Sequence, residues 1–407
     1  MRVEKVRDGV YGITENLEGI LFEGMWEMPK GVSVNSYVVK GEKAAFIDGV
    51  FGWDGTRETM DKALAEMDLT LDDMEYIVIN HMEPDHSSWI ADLDSLGKEL
   101  EIYCSKESAG TLKAFFGRED RINIVGDGDT LDLGNDRVLH FAKTPNIHWP
   151  DTIATYEEKS KVLFSCDAFG SFGKLTHLFD DEYTKEEREE FETQQIRYFS
   201  NILGTFTPMV GRGIERVKKF DIEVVAPGHG MVWRENPEKI IADFERYVSY
   251  QKGVAKEKVL LLWGSMYGMT RKMVDAIEET LKEENMDYVS LCVTETDMGT
   301  VLEHAWASTG IIIAAPTYEY KIFPPMASVL DEMGRKRIQN RLALYAGSYG
   351  WSGGAIKEFE EIMKRNMMKW DVLHAMEYNG TPLEEDRKEF TEAVRGLCRA
   401  IREKVAG

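Results

Sequence analysis

Apolar positions along the first 250 residues fall into short runs that are separated by amphipathic stretches. Runs of this length, rich in β-branched and aromatic residues, are typical of strands, whereas apolar positions spaced three and four apart indicate helices. The pattern predicts strands at residues 33–39, 43–48, 75–80, 138–143, 161–166 and 222–226, and helices at residues 56–67, 105–116 and 185–202.

A helix at residues 236–253, NPEKIIADFERYVSYQKG, is predicted to close this region. Asn236 suits the N-cap position, Pro237 suits the first helical turn, and Gly253 suits the end of the helix. The segment KGVAKEK that follows is typical of a linker. We therefore predict a first domain at residues 1–253.

From Val259 onward, strand-like and helix-like segments alternate regularly. This alternation indicates a doubly wound α/β domain with a parallel sheet, and we predict it at residues 254–407. A short helix is expected after residue 293. The other predicted elements are strands at residues 259–262, 288–293, 311–314, 342–346 and 372–376, and helices at residues 270–283, 325–333, 354–367 and 382–405.

The composition is that of a globular protein with an acidic surface. Of the 407 residues 43% are hydrophobic, and the formal net charge is −23. This charge argues against nucleic-acid binding, which requires a basic surface to replace phosphate counterions. The four scattered cysteines contain no CxxC pair and argue against a disulfide framework or a thiolate metal site. Apolar runs too short for a bilayer and the absence of a secretory signal predict a cytoplasmic protein without a membrane anchor.

The segment INHMEPDHSSW, residues 79–89, places four ionisable side chains directly after a predicted strand. They are His81, Glu83, Asp85 and His86. A metal site, a hydrogen-bonded turn and a solvated charged loop are the three possible explanations. A solvated loop does not require two histidines beside alternating carboxylates, so the cluster favours a metal site.

Three further residues of ligand type follow strand-like runs. They are His148 in TPNIHWPDT, Asp167 in VLFSCDAFG and His229 in VVAPGHGMV. Each alone has a structural explanation, such as a histidine satisfied in the core or an aspartate that caps a turn. Together with the cluster they predict a metal centre, because ligands collect where strands end and loops begin.

The order and spacing of these seven residues resemble the metallo-β-lactamase fold, whose motif reads His-x-His-x-Asp-His and is followed by His, Asp and His. Glu83 stands at the second motif position, as in the flavodiiron proteins. A carboxylate there makes a harder, more anionic site that suits iron better than zinc. The resemblance implies an αββα sandwich with a di-iron centre. It assigns one iron to His81, Glu83 and His148, the other to Asp85, His86 and His229, and the bridge to Asp167.

Three neighbours of the predicted ligands are candidates for supporting roles. Trp149 follows a ligand and is a candidate wall of the metal pocket. Tyr198, in IRYFSNIL, is a candidate proton or hydrogen-bond donor. Ordinary core packing is the alternative for both residues. His177 is the third candidate, and a position in a loop is its alternative.

The second domain carries three loops at predicted strand ends. The first loop, within WGSMYGMT, leads directly into a helix whose N-terminus suits a phosphate group. All three lie at the carboxyl edge of the predicted parallel sheet, where doubly wound folds bind ligands. Their candidate residues are Ser265, Met266, Tyr267, Gly268, Met269 and Thr270 in the first loop, Pro316, Thr317, Tyr318 and Glu319 in the second, and Ser348, Tyr349, Gly350, Trp351 and Gly353 in the third.

Together these loops resemble flavodoxin. The resemblance implies bound FMN, with residues 265–270 around its phosphate and the other two loops around its isoalloxazine ring. Tyr318, Tyr349 and Trp351 are the aromatic candidates for lining or stacking on that ring. Glu319 departs from the family, in which a small polar residue such as asparagine is frequent at this position. A ligand-free α/β domain is the alternative.

Over the whole chain the resemblance is to the flavodiiron proteins, and within them to the methanogen enzymes that oxidise the reduced deazaflavin coenzyme F(420). It implies an oxidoreductase that reduces dioxygen to water at a non-haem di-iron site with electrons relayed through FMN. Reduced F(420) is the implied donor. The family also implies a head-to-tail homodimer, with a tetramer as a further assembly.

Several alternatives stay open on the sequence alone. Nitric oxide competes with dioxygen as the substrate, and a rubredoxin competes with the deazaflavin as the donor. Because the sequence has no CxxC pair for a rubredoxin iron site, either donor is expected to be a separate molecule. A zinc hydrolase of the β-lactamase superfamily and a non-catalytic electron carrier are functions of other classes.

Overall fold

The computed structural model describes residues 1–49 and 56–407, which form two compact units. The first unit comprises residues 1–199 and 206–245, and the second comprises residues 200–205 and 246–407. The division between the two units therefore falls within the helix predicted at residues 236–253. A boundary at residue 253 stays a prediction.

The described residues fold into short strands and helices. A π-helical segment, Phe199–Leu203, follows the fourth helix directly. The strands are β1 Arg2–Arg7, β2 Val10–Leu17, β3 Leu21–Phe22, β4 Trp26–Glu27, β5 Val32–Lys40, β6 Ala44–Ile47, β7 Met74–Ile79, β8 Glu101–Cys104, β9 Ile122–Ile124, β10 Thr130–Gly134, β11 Arg137–Lys143, β12 Ile153–Glu157, β13 Val162–Cys166, β14 Val224–Pro227, β15 Lys256–Trp263, β16 Asp287–Cys292, β17 Ser308–Ala314, β18 Thr317–Tyr318, β19 Lys321–Ile322, β20 Leu342–Tyr349 and β21 Asp371–Asn379.

Helices flank these strands in both units. None of the helices that the structure describes has the length and apolar character needed to cross a membrane. They are α1 Thr56–Ala65, α2 Pro84–Ser87, α3 Lys106–Phe116, α4 Lys185–Tyr198, α5 Thr207–Val217, α6 Pro237–Tyr250, α7 Met269–Glu283, α8 Met298–Ala307, α9 Pro324–Arg335, α10 Ala355–Arg365 and α11 Glu384–Ala406, and the 3-10 segments are Leu71–Asp73, Ser88–Leu96, Asp180–Glu182 and Gly204–Phe206.

Two main sheets form the first unit. One has the strand order β1-β2-β5-β6-β7-β8-β9 and the other the order β10-β11-β12-β13-β14. They meet at β5 and β14, where the Asn35 backbone N–H donates to the Gly228 carbonyl at 2.7 Å and the Tyr37 hydroxyl donates to the Pro227 carbonyl at 2.6 Å. The structure confirms the predicted sandwich of the metallo-β-lactamase type.

A buried apolar core fixes the interior strand β7. Ile77 and Ile79 of β7 belong to one cluster with Phe46 of β6 and with Met60 and Leu64 of α1. Burying a side chain of this size contributes about 1.5–3 kcal/mol relative to leaving it exposed. A shift of β7 by one residue would turn these side chains away from the core. The core therefore determines where β7 ends and where the HMEPDH segment begins.

Strand ends bring the candidate ligands together. β13 and β14 are parallel neighbours, and Cys166 pairs with Pro227 at their carboxyl ends. Asp167 follows β13 directly, and His229 lies two residues after β14. In the other sheet, the Asn80 carbonyl just beyond β7 accepts a hydrogen bond from the N–H of Ile153, the first residue of β12, at 2.9 Å. These contacts place the loops after β7, β13 and β14, and the loop before β12, in one region.

One parallel sheet forms the core of the second unit. Its strand order is β16-β15-β17-β20-β21, and each neighbouring pair is parallel. This is the order 2-1-3-4-5 of flavodoxin-like doubly wound folds. Helices α7 and α11 share a buried apolar cluster with the strands, while α9 contacts α8 and α10. The predicted doubly wound parallel sheet is confirmed.

Every predicted strand overlaps an observed one, and the differences have local causes. The predicted helix 185–202 is α-helical only as far as Tyr198 and then continues as the π-helical segment. Helix α5 was not predicted, because its sequence TPMVGRGIERV contains a proline and two glycines, which weaken the helical pattern. Strand β12 was not predicted either, and its five residues are all buried in the middle of the second sheet.

The buried side chain of Arg341, just before β20, caps the C-termini of two helices in the second unit. Its Nη1 donates to the carbonyls of Tyr250 and Gln339, each at 2.7 Å, and its Nη2 donates to the carbonyl of Trp306 at 3.0 Å. Tyr250 is the last residue of α6, and Trp306 lies in the last turn of α8. Carbonyls at helix C-termini have no partner within their own helix, so one guanidinium satisfies both ends.

We expect Arg341→Met to destabilise the second unit by about 2–3 kcal/mol, because buried carbonyls lose charge-assisted hydrogen bonds. Chemical denaturation followed by far-ultraviolet circular dichroism measures the change. Arg335→Met is the matched control, since the Arg335 side chain is exposed and its only described ion pair is with Glu332. An equal effect of both substitutions would contradict the role assigned to Arg341.

Candidate metal centre and ligand loops

The HMEPDH segment changes direction at Pro84. β7 ends at Ile79, Glu83 has non-helical backbone angles, and α2 begins at Pro84. Proline suits the first helical position because the missing N–H would have no partner there. His81 and Glu83, before Pro84, therefore belong to one group of side chains, and Asp85 and His86, after Pro84, belong to another.

The first group contains two imidazoles and two carboxylates. His148 Nε2 lies 2.7 Å from Glu83 Oε2, and His81 Nε2 lies 3.2 Å from the same oxygen. Both imidazole nitrogens are 3.3 Å from Asp167 Oδ2. The donor atoms of His81, Glu83, His148 and Asp167 all lie within 4.8 Å of one another. They are close enough to share one ion.

The second group contains Asp85, His86 and His229. His229 Nε2 lies 3.2 Å from His86 Nε2 and 3.3 Å from Asp85 Oδ2. The glycine before His229 is required here, because a Cβ at Gly228 would lie 2.7 Å from His86 Cε1. The side chains of Asp85, His86 and His229 therefore converge on a second point.

Asp167 faces both groups with different oxygens. Its Oδ2 lies beside the first group, whereas its Oδ1 is 3.1 Å from His86 Nε2 and 3.5 Å from His229 Nε2 in the second group. A carboxylate with one oxygen directed at each of two ion positions has the arrangement of a bridging ligand. All seven sequence-predicted metal residues are therefore brought together, with Asp167 between the two groups.

Burial and mutual charge determine how these groups hold protons. Burial alone would lower the pKa values of the imidazoles, but the neighbouring carboxylates outweigh it and raise the pKa to about 9 in His148 and to about 10 in His229. Burial alone would raise the pKa of Asp85, but His86 and His229 outweigh it and lower the pKa to about 2. The pocket therefore favours carboxylates that are paired with positive charge.

The donor atoms fit a pair of metal ions. Among the described residues, no hydrogen bond is directed at either oxygen of Asp85 or at Asp167 Oδ2, although all three atoms are buried. Unsatisfied buried carboxylate oxygens are costly unless a cation is shared between them. The two groups consist of imidazole nitrogen and carboxylate oxygen, a donor set that suits iron.

Several residues that were not predicted hold the ligands from behind. Asp151 Oδ1 lies 3.6 Å from His81 Nδ1, and its Oδ2 accepts from the Met82 backbone N–H at 2.8 Å. The Ser33 carbonyl lies 2.9 Å from His229 Nδ1. A carboxylate or carbonyl behind a ligating imidazole fixes the ring and its tautomer. The sequence feature that could have identified Asp151 is its position in HWPDT, two residues after Trp149.

The three predicted neighbours have different surroundings. The ring centroids of Trp149 and His81 are 5.1 Å apart at 90°, so the Trp149 indole packs against one imidazole of the first group. The ring centroid of Tyr198 lies 5.7 Å from that of His229, and its buried hydroxyl has no hydrogen-bond partner in the described part of the chain. His177 is exposed and packs on Tyr183 at 5.6 Å, away from both groups.

In the second unit, a cavity of about 260 Å³ lies at the carboxyl ends of β15, β17 and β20. Most of the residues predicted to bind the cofactor line it. Gly268, Tyr318, Glu319 and Gly353 belong to the same loops but are not part of its lining, and Gly380 is a lining residue that was not predicted. The described residues that line it are Ser265, Met266, Tyr267, Met269, Thr270, Pro316, Thr317, Ser348, Tyr349, Gly350, Trp351 and Gly380.

The first loop is shaped for a ligand at a helix N-terminus. Gly268 has a φ of +87° and directly precedes α7, and its N–H donates to Ser265 Oγ at 2.9 Å. The hydroxyls of Thr270 and Ser348 lie 2.8 Å apart, which joins the first loop to the third. A helix N-terminus with unpaired N–H groups and nearby hydroxyls suits a phosphate group.

The turn between β18 and β19 shows why a residue such as asparagine is expected at position 319. Glu319 and Tyr320 have φ values of +48° and +65°, and Tyr318 pairs with Lys321 across them. Such two-residue turns favour asparagine and glycine because both central residues are left-handed. Glu319 is exposed, so its side chain is compatible with this turn although its backbone conformation is unfavourable for it.

Glu377, a residue of β21 that was not predicted, holds two ligand loops together. Its carboxylate accepts from Thr317 Oγ1 at 2.9 Å, from the Gly354 N–H at 2.9 Å and from the Ala355 N–H at 3.1 Å. Thr317 belongs to the second loop, and Gly354 follows the third. Glu377 lies on the neighbouring strand, so no feature of the loop sequences pointed to it.

Comparisons with known proteins agree with this geometry. The model of the ODP family beta lactamase matches residues 32–230. An anaerobic nitric oxide reductase flavorubredoxin from Shigella dysenteriae is 34% identical over 332 residues, which are 80% of this chain and 67% of that protein.

Two solved structures resemble the whole chain. The flavodiiron protein from Giardia intestinalis has a TM-score of 0.90 at 26% identity and covers 100% of this chain and 98% of its own. A mutant flavo di-iron protein from Thermotoga maritima has a TM-score of 0.88 at 27% identity and covers 98% of each chain. Both similarities extend through the two units.

We expect Asp167→Asn to lower the affinity for iron by more than about 100-fold, because residues behind the ligands alone change metal affinity by about 10- to 100-fold. The iron content per chain after dialysis against a chelator measures this. Asp180→Asn is the control, since Asp180 is also a buried carboxylate but binds the backbone N–H groups of Arg234, Glu235 and Asn236. Full iron retention in Asp167→Asn would contradict the bridging position.

We expect Glu377→Gln to weaken FMN binding about tenfold, because the two ligand loops lose charge-assisted hydrogen bonds that hold them together. Fluorescence titration of the flavin-depleted protein with FMN measures the dissociation constant. The control Glu360→Gln removes the same charge from an exposed position of α10. Equal dissociation constants for Glu377→Gln and the unmodified protein would show that Glu377 has no part in shaping the cavity.

Proposed function

Because this chain belongs to the flavodiiron protein family, whose members are oxidoreductases acting on nitric oxide or dioxygen with a di-iron centre and FMN, we propose that it reduces dioxygen to water. The observation that carries the proposal is the position of Asp167 between two buried donor groups. Two bound irons and FMN supply one-electron and two-electron redox chemistry to one reaction. We propose the seven predicted ligands as the residues that hold the irons.

The first group gives the site its anionic character. Glu83 contributes a carboxylate at the position where zinc hydrolases of this fold have an imidazole, and this favours iron over zinc. Asp151 orients His81, and the Ser33 carbonyl orients His229. These contacts hold the ligand rings in place before any metal binds, which lowers the cost of ordering them.

Tyr198 is the proposed hydrogen-bond donor at the site. Burial raises the pKa of its hydroxyl well above the usual value, and the nearby carboxylate of Asp167 acts in the same direction. The hydroxyl therefore keeps its proton at neutral pH. Since it is buried beside His229 without a hydrogen-bond partner in the described chain, it is free to donate to a small molecule bound there.

The proposed cofactor residues in the second unit are the loop residues predicted from the sequence. The cavity that they form is bordered by exposed aromatic side chains, Tyr267 at 85% and Trp351 at 67% exposure. Flat exposed aromatic rings favour stacking with a planar partner. This supports reduced deazaflavin coenzyme F(420), an obligate hydride donor, as the electron source. From the resemblance to the flavodiiron proteins we also propose a head-to-tail homodimer in the cytoplasm, with a tetramer as a further assembly.

A second candidate function is the reduction of nitric oxide with electrons from a separate rubredoxin. The observation that favours it is the similarity to the anaerobic nitric oxide reductase flavorubredoxin at 34% identity. The buried pair of donor groups suits two molecules of nitric oxide as well as one of dioxygen. The donor and the gas are therefore tested separately.

We expect the iron- and FMN-loaded protein to consume dioxygen rapidly with chemically reduced deazaflavin as the sole donor, without releasing hydrogen peroxide. An oxygen electrode and a peroxidase assay measure both quantities. Asp167→Asn with restored FMN is the control, and its residual oxygen consumption should yield peroxide from the flavin alone. Turnover of dioxygen only with reduced rubredoxin would contradict the deazaflavin as the donor. Reduction of nitric oxide but not of dioxygen, with reduced rubredoxin as the donor, would contradict the proposal and establish the second candidate.

A further inference from the structure

A small cavity of about 90 Å³ lies between α5 and the end of β11 in the first unit. Residues 143–146 line it together with residues of α5, among them Arg212, Gly213 and Arg216. None of the seven predicted metal ligands belongs to its lining. Lys143, Arg212 and Arg216 each carry a positive charge, whereas the described lining contains no acidic residue. The cavity therefore concentrates positive charge in a chain whose net charge is −23.

The three cations differ in how far neighbouring carboxylates compensate their charge. Arg216 Nη1 lies 3.2 Å from Asp127 Oδ1, and Lys143 Nζ lies 3.5 Å from Glu107 Oε2. Arg212 is exposed, and its side chain has no hydrogen bond or ion pair with a described residue. A guanidinium does not lose its proton in proteins. Arg212 thus brings a full positive charge to the cavity without a counter-charge in the described part of the chain.

The Arg216 guanidinium is anchored through one of its nitrogens. Nη1 lies next to Asp127 and also donates to the Lys143 carbonyl at 2.8 Å. Nε and Nη2 have no partner among the described residues. A planar guanidinium presents its N–H groups in a fixed fork that matches the oxygens of an oxyanion. The anchored guanidinium is therefore pre-organised for such a ligand.

The size of the cavity limits what it can hold. Sites for drug-sized molecules have volumes of about 300–1,000 Å³, several times larger than this one. Since a water molecule occupies about 30 Å³ in the liquid, the cavity has the room of about three water molecules. This volume suits a small anion with a few oxygens and excludes a whole nucleotide.

We propose that this cavity binds a tetrahedral oxyanion, a phosphate or sulfate group, through Arg212, Arg216 and Lys143. Such an ion accepts hydrogen bonds from several donors at once, so it joins the two arginines of α5 to the end of β11. It also supplies the negative charge that Arg212 lacks. The site is independent of the gas and of the electron donor in the proposed function.

The bound ion acts on a segment that leads to the metal centre. Gly213 packs so closely on Ile147 that a Cβ at position 213 would lie 2.3 Å from Ile147 Cδ1. Ile147 is buried and directly precedes the predicted ligand His148. Because the ion connects α5 with residues 143–146, it stabilises the backbone that leads into this ligand.

Calorimetric titration of the iron- and FMN-loaded protein with sodium phosphate tests the site, with sodium chloride at equal ionic strength as the blank. We expect one phosphate per chain with a dissociation constant of about 1 mM. Arg212→Gln should weaken binding about tenfold, because charge-assisted hydrogen bonds are lost. Lys219→Gln is the matched control, since it removes the same charge from an exposed position just after α5 that does not line the cavity.

A second titration, with glycerol phosphate, distinguishes two sources of the same group. Binding of phosphate without binding of glycerol phosphate supports the site and assigns it to the free ion. Equal or tighter binding of glycerol phosphate supports the site and assigns it to a phosphate group carried by a larger molecule. Iron and FMN content and far-ultraviolet circular dichroism show that each variant is folded and loaded.

Three results would overturn the proposal. The first is no heat of phosphate binding beyond that of chloride. The second is an equal loss of affinity in Arg212→Gln and Lys219→Gln, which would show a general effect of net charge. The third is unchanged affinity in Arg212→Gln, which would place the bound phosphate elsewhere, for example on the irons. Each of these results leaves the proposed function intact.

Discussion

The negative charge that is buried between β7, β13 and β14 is the constraint on which the first unit depends. Glu83 and Asp167 belong to one group of donor atoms that lie within 4.8 Å of one another, and Asp85 belongs to the second group. Burying unpaired carboxylates is expensive. Four imidazoles compensate them, and their raised pKa values show how strongly the pocket attracts positive charge. Asp167 belongs to both halves of the cluster, so the loss of positive charge from either half leaves one of its two carboxylate oxygens without a positively charged partner.

The backbone meets this constraint through strand ends rather than through one local motif. The ligands come from the loops after β7, β13 and β14 and from the loop before β12, and the parallel pairing of β13 with β14 brings Asp167 and His229 side by side. The second unit uses the same principle, since its cavity lies where three parallel strands end. Loops at such edges tolerate polar side chains because a rigid sheet positions them.

The residues that the structure brings together in the two candidate sites were predictable because their type and their position relative to strands carry the signal. The HMEPDH motif, the three later ligands and the WGSMYGMT loop all follow apolar runs. Asp151 and Glu377 were missed because their importance lies in contacts with residues far along the chain, such as Thr317 and Gly354 for Glu377. The change from α- to π-helix after Tyr198 was also missed, since helical periodicity is similar on both sides of it.

Charge and polarity separate the routes by which two kinds of reactant would arrive. With a net charge of −23, the molecule repels an anionic electron donor, and salt screens that repulsion beyond about 8 Å at physiological ionic strength. A neutral gas experiences no such field. The encounter with an anionic donor thus speeds up with added salt, while the supply of gas follows its solubility in the surrounding water.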